Sequence, residues 1–302
     1  MSSLYACSTA TAKSSINQDY CLTVKNERAN FIGVIIADGI GSHFKAELSS
    51  KFCCEKLKEQ LEIVENASEI NFELFFQEIK SSLLEFAKQS PEFNFNEINK
   101  TKSLGTTLLC ALDLENEFLI AYAGNGSIWH TKGSFNKFSP NRYLPWNSVN
   151  LLNPHCNEED GKAALYRYLS VSDAQYLPTV IRLSKNLFTP GDIIIVTSDG
   201  VYSSDQVQIG KDESETIWIR SEESMPMLYS ELSDFLKNNP KETKNEDLEI
   251  ALNIFLDNLK TKNYMHDDTT LGVIITEKAI DFHQQFWEQE IVKKLNEKNS
   301  SK

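Results

Sequence analysis

Residues 106–133 contain three apolar runs, TTLLCALDL, EFLIAYAG and SIWHTKG, separated by only a few polar residues. Connections that short favour antiparallel hairpins, because a parallel crossover needs a dozen or more residues. Upstream, YCLTVK (20–25) and FIGVIIA (31–37) read as strands joined through NERAN. Leu48, Phe52, Leu57 and Leu61 then recur at helical spacing from Lys45 to about Val64. A second helix fits 72–88, with Phe72, Phe75, Phe76, Ile79, Leu83 and Phe86 on one broad face. Pro140, Pro145, Pro154 and Pro178 make 140–178 read as irregular. TVIRLS and DIIIVTS follow as a further strand pair, then helical patterns at 225–237 and 246–262. TLGVIIT (270–276) is a last strand and 279–295 a last amphipathic helix. Strands in antiparallel runs and helices in pairs predict an α+β fold, not the βαβα order of a parallel sheet.

Composition narrows the function classes. The chain has 302 residues with 41% hydrophobic content, enough for one large domain or two small ones. No apolar run reaches the roughly 20 residues that cross a bilayer, and MSSLYACSTATAKSS lacks a signal-peptide pattern. Six cysteines, including adjacent Cys53 and Cys54, show no CxxC spacing. That suits reduced thiols in a cytoplasmic protein better than a disulfide framework or a zinc knuckle. The net charge of −13 disfavours nucleic acid as a partner and is read mainly as solubility.

Aspartates stand at the ends of the apolar strands. GVIIADG ends on Asp38, DIIIVTSDG ends on Asp199, HDDTTLGVII begins with Asp267 and Asp268, and Asp19 immediately precedes a strand. Carboxylates beside apolar strands must be neutralised, and Lys and Arg are scarce near these segments. A hard divalent cation such as Mg²⁺ or Mn²⁺ meets the need, since it prefers oxygen ligands. Gly39, without a Cβ, can turn its carbonyl toward the same ion. Any one Asp-Gly is also an ordinary turn signal; four sites together argue for more. A nucleotide-binding loop fits worse. GIGSHF has Phe44 where GxGxxG needs its third glycine, Asp38 would oppose a pyrophosphate, and no GxxxxGK[ST] occurs.

NQD (17–19), ADGIGS (37–42), SLGTTL (103–108), AGNGSIW (123–129), TPGDIIIVTSDGV (189–201) and DDTTL (267–271) together resemble the metal-dependent protein phosphatases of the PP2C (PPM) family. Their order is right and they span residues 5–276; GKAALYRYLS (161–170) also resembles the family. DGIGS and DDTT are closest to its divergent bacterial branch. The resemblance implies a four-layer αββα sandwich, with two antiparallel sheets flanked by helix pairs and a dinuclear Mn²⁺/Mg²⁺ centre between them. Carried over, Asp38 bridges both ions, the Gly39 carbonyl binds one, Asp199 and Asp267 bind the other, and Asp19 holds metal-bound water. Asp268, where the family more often has Asn, takes an orienting role. Ions about 3.5–4 Å apart would activate a water for attack on phosphoserine or phosphothreonine. The implied partners are a phosphoprotein substrate and a cognate kinase. On this reading the phosphatase domain covers 1–278, with 140–178 as a flap, and 279–302 is a C-terminal helix and tail.

Several positions depart from the family pattern. Ser14 stands where many members have a phosphate-gripping Arg, and adjacent Lys13 would face the other side of a strand. Asn125 replaces an Asp that helps hold a third metal, and its lack of charge weakens the case for that ion. Ile40 stands where eukaryotic members have a His proposed as general acid. His43 reads as a helix-start residue and His266 as a loop residue, although either lies near the motifs in sequence. Segment 140–178 reads equally as a flap or as a passive loop. Cys53, Cys54 and the Phe72–Phe86 series read as core, and the last helix, bearing Phe286, Trp287, Ile291 and Leu295, packs on the domain or docks a partner. A catalytically weak PP2C-like regulatory module is the alternative to an active enzyme.

Overall fold

The computed structural model describes residues 3–12, 16–90, 103–133, 148–159, 162–186, 190–203, 206–211, 216–220, 224–238 and 243–300. The chain forms β1 (Leu4–Ala10), β2 (Asp19–Asn26), β3 (Phe31–Asp38), α1 (Ala46–Ile63), α2 (Phe72–Gln89), β4 (Leu108–Asp113), β5 (Glu117–Ala123) and β6 (Ser127–Thr131). It continues through β7 (Ser148–Asn150), β8 (Cys156–Glu159), β9 (Lys162–Leu165), β10 (Thr179–Ser184), β11 (Ile193–Thr197) and the short α3 (Asp199–Ser203). The last elements are β12 (Gln206–Lys211), β13 (Thr216–Arg220), α4 (Ser224–Asn238), α5 (Asn245–Thr261), β14 (Thr269–Ile275) and α6 (Glu277–Ser300).

Two five-stranded sheets result, in the orders β1-β14-β11-β6-β7 and β10-β5-β4-β3-β2, and their strands pair antiparallel. Strand alternation explains the layering. Val34 and Ile36 of β3, Leu109 and Ala111 of β4, Ile194 and Val196 of β11 and Ile274 of β14 point between the sheets. The opposite face of β3 and β4 packs on α1 and α2, and that of β11 and β14 on α4 and α5. Helix, sheet, sheet, helix is the four-layer α+β arrangement expected.

Hairpin logic fails at one instructive place. β4 and β5 pair as expected, but β6 leaves them and joins the other sheet between β11 and β7. Gly124 and Gly126, at φ +129° and +116°, turn the chain between sheets in a backbone region that side chains disfavour. β10 and β11 likewise lie in different sheets instead of pairing. Segment 140–178 is less irregular than its prolines suggest, because β7 and the β8–β9 hairpin form within it. The sequence pattern does not mark β1 or the β12–β13 hairpin, whose residues mix apolar and polar types. α6 starts at Glu277, two residues early, because Ala279 and Ile280 are buried against the sheet and donate backbone N–H groups to the Thr276 carbonyl. The side chains of Phe286, Trp287, Ile291 and Leu295, and residues 140–147, lie outside the described residues.

Candidate active site

Every acidic motif reaches one end of the sandwich. The register of β2 on β3 sets Asp19 directly across from Asp38. Asp199 follows β11 and Asp267 precedes β14, neighbouring strands of the other sheet. With Asp268 and Asn125 these residues line a single cavity of about 180 Å³. Gly39, Thr107 and Leu165 complete much of its wall, and no Lys, Arg or His is among the described residues lining it.

Backbone bonds fix the acidic residues. The Asp38 N–H donates to Thr107 Oγ1 at 3.0 Å, while its carbonyl accepts from the Thr107 N–H at 2.8 Å and from Thr106 Oγ1 at 2.9 Å. Thr106 and Thr107 of SLGTTL are thus the supports of Asp38, a role the sequence did not assign to them. The Gly39 N–H donates to the Gln18 carbonyl at 3.1 Å, and a Cβ on Gly39 would approach that oxygen to 2.7 Å and Ala46 backbone atoms to 2.9 Å. Glycine is required there by close packing of three segments. Asp268 accepts from the Ala12 N–H at 3.1 Å and the Gln18 N–H at 2.8 Å, so both of its oxygens hold the segment between β1 and β2. Its own N–H donates to Asp267 Oδ1 at 2.9 Å. Asn125 Nδ2 donates to Asp199 Oδ2 at 2.7 Å, which orients that carboxylate without adding charge.

The electrostatics are unfavourable without a cation. Burial, then repulsion from Asp19 and Asp199, pushes Asp38 well above the usual carboxylate range. Asp19 is pushed up to about 7, chiefly by burial, although hydrogen bonds with Ser198 and Thr270 oppose the shift. Its Oδ2 is buried and has no hydrogen-bond partner. Asp267, at the exposed rim, is also raised, by partial desolvation and by Asp199 and Asp268.

A raised folded-state pKa makes the native metal-free chain bind protons more tightly than the unfolded chain. Asp19 therefore contributes stability that is complete below about pH 4 and lost as pH rises toward about 7. His155, lowered to about 4 by burial and by Arg167, acts oppositely and loses stability as pH falls below its ordinary 6.5. Comparing wild type with Asp19→Asn isolates the carboxylate. In chelator, the melting temperature of the variant should exceed that of wild type at pH 8 and converge with it near pH 4. A pH-independent difference would contradict the assigned burial of charge.

The two histidines near the motifs stay outside the cavity wall. The His43 ring lies edge-on to Tyr168 at 5.7 Å and covers Gly105, where a Cβ would meet His43 Cδ2 at 2.7 Å. His266 is exposed in the segment before β14. Lys13 and Ser14 lie outside the described residues. The 140–178 segment does reach the site, through Leu165 at the end of β9. His155 ties that segment to the inter-sheet turn: its N–H donates to the Gly124 carbonyl at 3.0 Å and its Nδ1 accepts from the Gly124 N–H at 3.1 Å.

A family model described as protein phosphatase 2C matches residues 8–252. The chain belongs to the protein phosphatase 2C family. Enzymes of that family are serine/threonine phosphatases and are metal-dependent, generally on Mn²⁺ or Mg²⁺. The matched range ends before Asp267, so the last acidic motif is placed by the fold alone. Solved structures agree on that fold. The serine/threonine phosphatase Stp1 from Staphylococcus aureus aligns with TM-score 0.58 at 17% identity, over 90% of this chain and 94% of its own. A serine/threonine phosphatase from S. agalactiae gives 0.60 at 15% identity, over 91% and 100%. A C. elegans sex determining protein also gives 0.60, at 10% identity over 94% of this chain and 67% of its own. No curated protein matches the chain.

Proposed function

We propose that this protein hydrolyses phosphoserine and phosphothreonine in proteins, using two Mn²⁺ or Mg²⁺ ions held in the acidic cavity. One observation carries the reading: Asp19, Asp38, Asp199 and Asp267 line one cavity, with Asp19 Oδ2 buried and unpartnered. The donor set fits hard cations, being oxygen throughout. Among the described residues no three His, Cys, Asp or Glu side chains already close around one point.

When bound, such ions supply a nucleophilic water near neutral pH and offset charge on the phosphoryl oxygens. The chain's own residues do the holding. Asp38, fixed through its backbone by Thr106 and Thr107, faces Asp19 across the β2–β3 pair and is the central ligand, with the Gly39 carbonyl beside it. Asp199, oriented by Asn125, and Asp267, oriented through the Asp268 backbone, complete the set from the other sheet. Asp19, whose Oδ2 is buried and unpartnered, would accept a hydrogen bond from water held by the ions. The 140–178 segment, which contributes Leu165 to the cavity wall, acts as a flap within a phosphatase unit of residues 1–278.

The test is hydrolysis of p-nitrophenyl phosphate and of a phosphothreonine peptide by folded protein with Mn²⁺, and its loss on chelation. No turnover of either substrate in Mn²⁺ would overturn the reading. The alternative, a PP2C-like regulatory module, is favoured by one observation: Asn125, not a carboxylate, contacts Asp199. It predicts partner binding, for example to a kinase, that persists in chelator and is unaffected by Asp199→Asn.

A further inference from the structure

We propose that Arg167 is an anion-binding residue beside the acidic cavity, and that it takes a carboxylate or second phosphate of the polypeptide substrate, a few residues from the phosphorylated one. The substrate half of this statement rests on the phosphatase reading above; the anion site itself does not. Arg167 is a half-buried guanidinium without a counterion. Among the described residues, the ion pairs that Arg28 and Arg182 make with Glu65 and Glu117 have no counterpart at Arg167. Its Nε is buried and has no hydrogen-bond partner.

The remaining contacts of the guanidinium are long. Its Nη1 stands 3.4 Å from Thr179 Oγ1 and 3.4 Å from His155 Nε2. The second of these is not a bond. His155 Nδ1 accepts the Gly124 N–H at 3.1 Å, so the neutral ring carries its proton on Nε2. That N–H donates to Thr179 Oγ1 at 2.9 Å, and Arg167 Nη1 therefore faces another donor. The guanidinium is left with one weak contact to a hydroxyl. A cation withdrawn this far from water costs free energy until an acceptor meets it. The acceptor that its planar fork of N–H groups matches is an anionic oxygen pair, on a carboxylate or a phosphate.

Position ties this site to the cavity. Leu165 lines the cavity and pairs with Cys156 at the end of the β8–β9 hairpin. Tyr166 continues that ladder, donating its N–H to the His155 carbonyl at 3.0 Å, and Arg167 bridges to Gln175. Residues two apart along such an extended chain face the same side, roughly 6–7 Å from each other. An extended substrate advances at the same rate, so an acidic group about two or three residues from the phosphorylated one reaches Arg167. Apolar surface beside the guanidinium suits a polypeptide better than a free anion. The Tyr166 ring lies 5.8 Å from it and is 36% exposed, and Leu177, two residues before Thr179, is 48% exposed. The chain's net charge of −13 opposes an acidic substrate at long range. Salt screens that repulsion beyond about 8 Å under physiological conditions, which leaves the local cation to decide.

Two measurements on the whole protein test the proposal. In the first, phosphothreonine peptides of one neutral sequence carry a single Glu, phosphoserine or Lys two or three residues to either side. With Mn²⁺ at physiological salt, kcat/KM for the best Glu or phosphoserine peptide should exceed that of the neutral parent about tenfold, the factor that one charge-assisted contact supplies. The gain should lie in KM, as for a contact made equally in the ground and transition states. Lys should give none. Arg167→Gln should bring the ratio of acidic to neutral peptide to about one, and Arg167→Lys, which keeps the charge without the fork, should restore part of it. In the second, sodium sulfate is titrated into the protein in Mg²⁺ and the Arg167 Nε–H signal is followed by NMR, assigned by its loss in Arg167→Lys. A saturable shift is expected. The proposal is overturned by a wild-type ratio near one, by a ratio that survives Arg167→Gln, or by an Arg167 signal that sulfate does not move. If neither the peptides nor p-nitrophenyl phosphate are turned over, the phosphatase reading falls and the substrate half with it, while the sulfate titration still decides the anion site.

Discussion

Asp38→Asn is expected to lower Mn²⁺-supported phosphatase activity by about 10²–10³-fold and, in the same protein without metal, to raise the melting temperature. The activity loss follows from position. Asp38 lies across from Asp19 on the neighbouring strand, lines the cavity with Asp199 and Asp267, and has a backbone locked by Thr106 and Thr107. A group so constrained cannot be replaced by a neighbour swinging in, and loss of one preorganised electrostatic contact costs about that factor. The stability gain follows from the same geometry. Burial and two facing carboxylates already hold Asp38 toward its protonated form, so a neutral amide of similar size removes repulsion. Relief of about 1 kcal/mol raises the melting temperature by roughly 2–4 °C in a domain of this order of size. With saturating Mn²⁺ the order should reverse, because ligand bound only to the native state stabilises wild type more. Differential scanning calorimetry with and without Mn²⁺, beside a p-nitrophenyl phosphate assay, measures all three. Variant activity within threefold of wild type would remove Asp38 from the centre of the site. A fall in metal-free melting temperature would contradict the charge argument.

The acidic residues were legible because carboxylates at the ends of apolar strands have no cheap structural explanation. Asp19, Asp38, Asp199 and Asp267 each carried that anomaly, and the fold brings all four to one cavity. The layers were legible too, since the strand and helix periods are strong in β3, β4, β11, α2 and α5. What the sequence hid was which sheet a strand joins. β6 follows β5 after a three-residue turn, and only the positive φ of Gly124 and Gly126 sends it across the sandwich. A glycine's presence is visible in sequence; its dihedral is not. The supports were hidden for a different reason. Thr106, Thr107, Ser198 and Thr270 act through single hydroxyl or backbone bonds formed across long sequence separations, and no local pattern marks them.

Gly200→Ala is the second large effect, and it tests the position of Asp267 without touching a carboxylate. Gly200 follows Asp199 at the start of α3, and a Cβ there would stand 2.0 Å from the Asp268 carbonyl oxygen and 2.7 Å from Thr269 Oγ1. The first contact is with backbone, so no rotamer change relieves it. The chain must separate α3 from the segment entering β14. Thr270 donates its N–H to Ser198 Oγ at 2.9 Å, and the Ser198 N–H donates to the Thr270 carbonyl at 2.9 Å, so the strain is concentrated between Asp199 and Asp268. Overpacking of this kind costs about 1–3 kcal/mol of stability. A shift of about 1 Å in a group that positions a reacting centre costs about 10²-fold in rate. The expected result is a folded, less stable protein with Mn²⁺ affinity and activity both strongly reduced. Gly41→Ala is the matched control: its Cβ would meet only the flexible Gln18 Oε1, at 3.3 Å. It should keep most of the activity, because that side chain can give way where the Asp268 backbone cannot. If Gly200→Ala instead keeps wild-type Mn²⁺ affinity despite its lower stability, the cation ligands do not include the end of β14, and Asp267 belongs to the rim alone.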